Sequence, residues 1–94
     1  MAIQSFADKE TQKVYWNRFS KKIDHSIQMA AYKKLRMLDE AETVMELREL
    51  PGNHLEALKG ERRGQHSIRV NDQYRLCFVL VGSELHDVEI VDYH

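Results

Sequence analysis

The sequence predicts an α+β fold in which a short N-terminal strand and a helical hairpin pack on one face of a mainly antiparallel sheet. Three observations predict it. Apolar residues recur at helical spacing between Asp8 and Asp39, with a capping residue ahead of each run. After Pro51-Gly52 the pattern changes to short segments in which apolar and polar residues alternate. Two of these segments, 67–70 and 74–78, flank Asn71-Asp72-Gln73, which is turn chemistry.

The elements follow in order. Residues 3–6 read as the first strand, ended by Asp8, a good helix N-cap. A helix over 9–19 contributes Val14, Tyr15, Trp16 and Phe19, whose aromatics read as core because nothing polar is interleaved in a stacking pattern. Ser20-Lys21-Lys22 makes the bend. Asp24 or Ser26 caps a second helix to about Asp39, with Ile27, Ala30, Ala31, Leu35 and Leu38 at helical spacing. Lys33, Lys34 and Arg36 crowd its later turns as a solvated face. Thr43 and Glu46 form a capping box that opens a short helix through Leu47, stopped by Pro51-Gly52. Strands are expected over 54–59, 65–70, 74–81 and 85–92, with Gly82-Ser83 in the last turn.

Loop parity decides which side chains become neighbours. A three-residue loop pairs Val70 with Tyr74, Arg69 with Arg75 and Ile68 with Leu76. A two-residue loop would set Arg69 against Leu76 and mix charge into the apolar face. The three-residue register follows, and it places Arg69 opposite Arg75 on the face away from Ile68, Leu76 and Phe78. Like charges directly opposite cost roughly 0.2–1 kcal/mol, and an anion between them reverses the sign. With Lys59, Arg62 and Arg63, the stretch 59–75 carries a net +3 in a chain of net −1. It reads either as a solvated strand face or as an anion site.

Ninety-four residues suit one domain, 1–94, with a single core. Composition is that of a globular chain, 43% apolar and 31% charged. One cysteine, Cys77, excludes an internal disulfide framework, suits a reducing cytosol, and sits in an apolar strand as a small buried hydrophobe. The five histidines lack metal-ligand spacing, so neither metal nor cofactor is expected. No apolar run reaches membrane-spanning length and the N-terminus lacks a signal peptide's apolar core, so no membrane contact and a cytoplasmic location are expected. Charge is segregated: +5 over 1–36, −5 over 37–58, +3 over 59–75 and −4 over 76–94. Two basic blocks brought together would suit a polyanion better than the pI of 6.5 suggests.

Nearly the whole chain resembles the HigB-type toxins of bacterial toxin–antitoxin modules, in the RelE/ParE-like superfamily. The resemblance is densest in Pro51-Gly52-Asn53, Leu55-Glu56-Ala57-Leu58-Lys59-Gly60, Gly64-Gln65, Ser67-Ile68-Arg69-Val70-Asn71, Tyr74-Arg75 and Val88-Glu89-Ile90-Val91-Asp92-Tyr93-His94. Tyr74 stands where many members have tryptophan, and the chain is slightly acidic where members are commonly basic. The resemblance implies a RelE-like α+β domain that cuts messenger RNA in the A site of the 70S ribosome. It also implies silencing by a HigA-like helix-turn-helix antitoxin, with operator DNA met only indirectly through that antitoxin. It places Lys59, Arg75, Asp92, Tyr93 and His94 in the active site; Arg62, Arg63, Arg69 and Gln73 are expected to bind RNA.

RNA cleavage without a metal uses the ribose 2′-OH as nucleophile. It needs a base, an acid for the departing 5′-oxygen, and cations for the charged phosphorane. Arg75 with Arg69 offers guanidinium forks and Lys59 a point charge, all expected on a solvated face. His94 is the natural acid, near neutrality in its reference pKa of about 6.5. Its own carboxylate and Asp92 favour the imidazolium. The base stays unassigned. The alternative is a ParE-like inhibitor of DNA gyrase that performs no chemistry, on the same sheet.

Overall fold

The computed structural model describes residues 1–93; His94, the expected acid, lies outside the described residues. The elements are β1 (Ala2–Ile3), α1 (Lys9–Tyr15), α2 (His25–Glu40), α3 (Val44–Glu49), β2 (Glu56–Ala57), a 3-10 turn at Gly60–Arg62, β3 (Gln65–Arg69), β4 (Tyr74–Val81) and β5 (Glu84–Asp92). They build a five-stranded sheet in the order β1-β5-β4-β3-β2, with β1 parallel to β5 and the other pairs antiparallel. The α+β expectation holds, on a mixed sheet.

Each helix starts where a short polar side chain meets an orphan amide. Asp8 accepts from Thr11 N at 2.7 Å, Asp24 from Ser26 N at 2.9 Å, and Thr43 from Glu46 N at 3.2 Å. Glu46 completes its box one residue early, accepting from Glu42 N at 3.1 Å.

α1 ends at Tyr15, short of the expected Phe19. Asn17 is left-handed at φ 58°, and Arg18 N donates back to Lys13 O at 2.7 Å. That is a helix stop built on asparagine, a residue that tolerates this conformation. Trp16 and Phe19 therefore leave the apolar stripe, and both are exposed, at 57% and 61%. The core reading of these two aromatics is wrong. β1 is likewise shorter than residues 3–6, resuming only as an isolated bridge between Phe6 and Val88.

The core lies between the helices and one face of the sheet. Val14, Ile27, Ala31, Leu35, Leu38 and Leu47 meet Ile68, Leu76, Phe78, Leu85 and Val88. Truncating Leu35 or Leu38, both fully buried, to alanine costs on the order of 2–5 kcal/mol. Ala30 is exposed, because the buried positions 27, 31, 35 and 38 turn it away. The cations of α2 are not a uniform solvated face. Lys33 is exposed, but Lys34 Nζ donates to buried Asn53 Oδ1 at 2.5 Å, and desolvation lowers its pKa. Arg36 lies 4.2 Å over the Tyr15 ring and donates to Tyr15 O at 3.1 Å.

The sheet registers fix which residues share a face. Ile68 pairs with Leu76 and Arg69 with Arg75, the three-residue register. Asn71 sets the turn, its Oδ1 accepting from Gln73 N at 2.9 Å and Tyr74 N at 2.7 Å. β5 carries a bulge: Cys77 pairs with Glu89 while Val79 pairs with His86, so β5 spends one extra residue, with Asp87 at φ 52°. The bulge lets Leu85 and Val88 both reach the core. β2 is only two residues long: His54 at φ 46° keeps the start of the expected strand over 54–59 out of the sheet, and beyond Ala57 the chain enters the 3-10 turn at Gly60.

Candidate functional site

On the face away from the helices, strand alternation and register set side chains in rows. Glu56 pairs with Ser67, Ser67 with Cys77, and Cys77 with Glu89, so one row crosses β2, β3, β4 and β5. Its ends are carboxylates and its middle is two small residues, both buried. The next row holds Arg69, Arg75 and Val91. Cys77 is thus buried as expected, but it floors this face and stands outside the helix-side core. Burial pushes its thiol pKa up, against the opposing pull of Arg62.

Arg75 lies back over that floor. Its Nε donates to Ser67 Oγ at 2.8 Å and its Nη2 to His54 O at 2.6 Å, with Glu56 Oε1 at 3.8 Å. The side chain is 14% exposed, so the expectation of a solvated charge does not hold for it. The Tyr93 ring stands with its centroid 5.9 Å from the guanidinium carbon. Arg69, although directly opposite in register, turns the other way. It donates to Asn71 O at 3.1 Å and forms an ion pair with Asp72.

The turn and the end of β5 are tied together. Tyr93 N donates to Gln73 O at 2.6 Å, and Gln73 Nε2 reaches both Asp92 carboxylate oxygens at 3.2 Å. From the 3-10 turn, Arg62 Nη1 reaches Gln65 Oε1 and Glu89 Oε1, each at 3.1 Å. The bond to Glu89 raises the Arg62 pKa, against a smaller desolvation effect. Lys59 and Arg63 are exposed on the segment that carries Arg62.

Of the residues expected from the sequence, Arg62, Arg75 and Tyr93 gather on the face away from the helices, whereas Asp92, opposite Tyr74 in the row of Leu76 and Ile90, points to the other face with Gln73 bonded to it; Arg69 is diverted to the turn, and Lys59 and Arg63 are exposed. Sequence reasoning missed Glu56, Ser67 and Glu89. Alternation alone points to Glu89, which lies between the core-side residues Val88 and Ile90 and so must face away. Among the described residues no group of three or more His, Cys, Asp or Glu side chains is placed to hold a metal. No described helix is long and apolar enough to cross a membrane.

Residues 4–94 match the family model described as the RelE-like toxin of type II toxin–antitoxin system HigB. The chain is 43% identical over 79 residues to Toxin HigB-1 of Vibrio cholerae serotype O1, covering 83% of this chain and 82% of that one. It is 36% identical over 67 residues to an uncharacterized protein of Haemophilus influenzae, covering 71% and 66%. Among solved structures it is similar to the YoeB–YefM complex from Staphylococcus aureus (TM-score 0.56, 14% identity, 100% and 99% covered). It is also similar to a YoeB/ParE toxin from Agrobacterium tumefaciens (TM-score 0.54, 16% identity, 100% and 99% covered). The structural likenesses speak for the fold, and the sequence matches speak for the family. On these grounds the chain belongs to the HigB-type, RelE-like toxins of type II toxin–antitoxin systems.

Proposed function

We propose that this toxin, acting as one domain over 1–94, is a ribosome-dependent endoribonuclease that cuts messenger RNA and arrests translation. The ribose 2′-OH attacks the adjacent phosphorus, and the 5′-oxygen leaves with a proton, without a metal ion in the step. The observation that carries the reading is Arg75, a guanidinium held by Ser67 and the His54 carbonyl with an aromatic ring beside it. An arginine fixed in advance costs no reorganisation when the phosphorane charge develops. Tyr93 offers a face on which a nucleobase stacks, about 1–3 kcal/mol per base in other systems. Lys59 adds a mobile charge at the rim. His94, one residue beyond Tyr93, protonates the leaving oxygen, and Asp92, engaged by Gln73, acts with it. Arg62, Arg63, Arg69 and Gln73 contact the RNA. The ribosome supplies the alignment that a small open face lacks.

Such a toxin is held in check in the cytoplasm by a HigA-like helix-turn-helix antitoxin, through which alone it meets operator DNA. The gyrase-inhibitor alternative is not favoured, since the match is to HigB-type toxins. The test is to map transcript 5′ ends after brief induction. New ends inside translated reading frames, absent with Arg75→Ala, support the nuclease; an SOS response with intact messages overturns it.

A further inference from the structure

The row of Glu56, Ser67, Cys77 and Glu89 has carboxylates at both ends and nothing larger than a thiol between them. Its ends are three strand spacings apart, about 14 Å. A row of small side chains leaves a trough, and two guanidiniums lie over it from opposite directions. Arg75 comes from the neighbouring row of the sheet and takes the Glu56 side, at 3.8 Å. Arg62 comes from the 3-10 turn between β2 and β3 and takes the Glu89 side, at 3.1 Å. To reach Glu89 on β5 it crosses above β3 and β4, and Gln65 Oε1 steadies the same nitrogen on the way. The Arg62–Glu89 pair is half-buried, its side chains 32% and 31% exposed, whereas Glu56 at the other end is open to solvent. Holding a long cation across two strands serves no cap and fills no core.

We infer that Glu89 is a positioning residue: it holds Arg62 over the Ser67–Cys77 trough so that Arg62 and Arg75 form a two-sided clamp on one RNA phosphate. This rests on the nuclease reading for the identity of the phosphate, and on the geometry alone for the clamp. Each guanidinium keeps N–H groups beyond those spent on its tether, since the fork has five donors. Their bonds to an incoming phosphate are charge-assisted on both sides. The carboxylates carry the cost of bringing two cations together before the phosphate arrives. Ser67 and Cys77 are fully buried, and a longer side chain at either would push the guanidiniums apart.

Two measurements on the purified chain test this. In the first, ¹⁵N-labelled protein is titrated with an uncleavable 2′-O-methyl RNA trinucleotide while the arginine side-chain N–H signals are followed. The Arg62 and Arg75 signals shift together in the wild type, and Glu89→Gln abolishes the shift of Arg62 while leaving that of Arg75. An unmoved Arg62 signal in the wild type overturns the clamp, whatever the enzyme does. In the second, cleavage is measured on programmed ribosomes. Glu89→Gln loses at least about tenfold in kcat with KM changed far less, because misplacement acts on the reacting geometry. The exchanged pair Arg62→Glu with Glu89→Arg regains the thermal midpoint but not cleavage, since the arginine now rises from the wrong strand. Recovery of both makes the pair a structural bridge and overturns the inference. If the wild type cuts nothing while both signals still shift, the nuclease reading fails and the clamp stands.

Discussion

Arg69 and Arg75 are direct cross-strand partners whose guanidinium groups point apart, one to the turn at Asn71 and Asp72, the other to Ser67 and His54. The repulsion that the register imposes is relieved by divergence, and only Arg75 stays over the trough. Arg75→Ala is expected to cut cleavage by about 10²–10³-fold, the scale for losing one oriented donor to a developing charge. It also leaves buried Ser67 without its partner, so stability falls by about 1–3 kcal/mol. Arg69→Ala changes cleavage by less than about tenfold, ~1.4 kcal/mol. Single-turnover rates on programmed ribosomes and urea melts of both variants make the comparison; equal rate losses would contradict the assignment.

Lys59 separates chemistry from folding more cleanly. It is exposed, so Lys59→Ala stays within about ±0.5 kcal/mol of wild-type stability while toxicity in cells is lost. A Lys59→Ala protein that still arrests growth at normal abundance removes this residue from the mechanism.

Asn53 anchors the segment leading to β2. Its side chain donates to Leu47 O at 3.0 Å and accepts from Lys34, and its carbonyl accepts from Arg69 N at 2.7 Å, all around a fully buried residue. Asn53→Ala abandons the Leu47 carbonyl and a partly desolvated ammonium, each about 1–3 kcal/mol. The urea midpoint should drop markedly with m unchanged. A neutral substitution would show that these groups find water.

Cys77 gives a pH signature. Its folded-state pKa is raised, first by burial, so its contribution is fully present below the unfolded value of about 8.5. It is lost as pH rises from there through the folded value, because the unfolded chain ionises first. Between pH 8 and 10 the wild type should lose stability faster than Cys77→Ala. Native protein should also react with iodoacetamide only at its rate of opening. Rapid labelling under native conditions would place the thiol in reach of solvent.

Much of the fold was legible because its signals are local. The caps Asp8, Asp24 and Thr43 announce helices, and the parity of Asn71-Asp72-Gln73 fixes the hairpin. Several features that sequence reasoning missed turn on single backbone conformations. Asn17, His54 and Asp87 all sit at positive φ, ending α1, shortening β2 and bulging β5. Each belongs to a residue type that tolerates the left-handed region without demanding it, so only tertiary contacts decide. The site divides in the same way. Arg75, Tyr93 and Arg62 are read from residue type and resemblance, whereas Glu56 and Glu89 acquire meaning only when four strands line up.

The last two residues carry the most exposed expectation. Tyr93 is tied by its backbone to Gln73, so its removal costs one hydrogen bond, about 0.5–1.5 kcal/mol, and little of the fold. His94→Ala should lose cleavage with circular dichroism and antitoxin binding intact. A tag fused directly after His94 should do the same. Cutting at the wild-type rate by His94→Ala refutes the proton-transfer role; failure of the tagged form alone leaves only a steric one.

The place of β5 in the sheet has a consequence for how the toxin comes into being. β1 is the first strand made and β5 the last, yet they lie side by side, with Ala2 paired to Glu84. β5 must slot between β1 and β4, the kind of long-range closure that slows folding. Because Glu89 and the Gln73–Tyr93 tie depend on that strand, the candidate site is completed only when this closure is made.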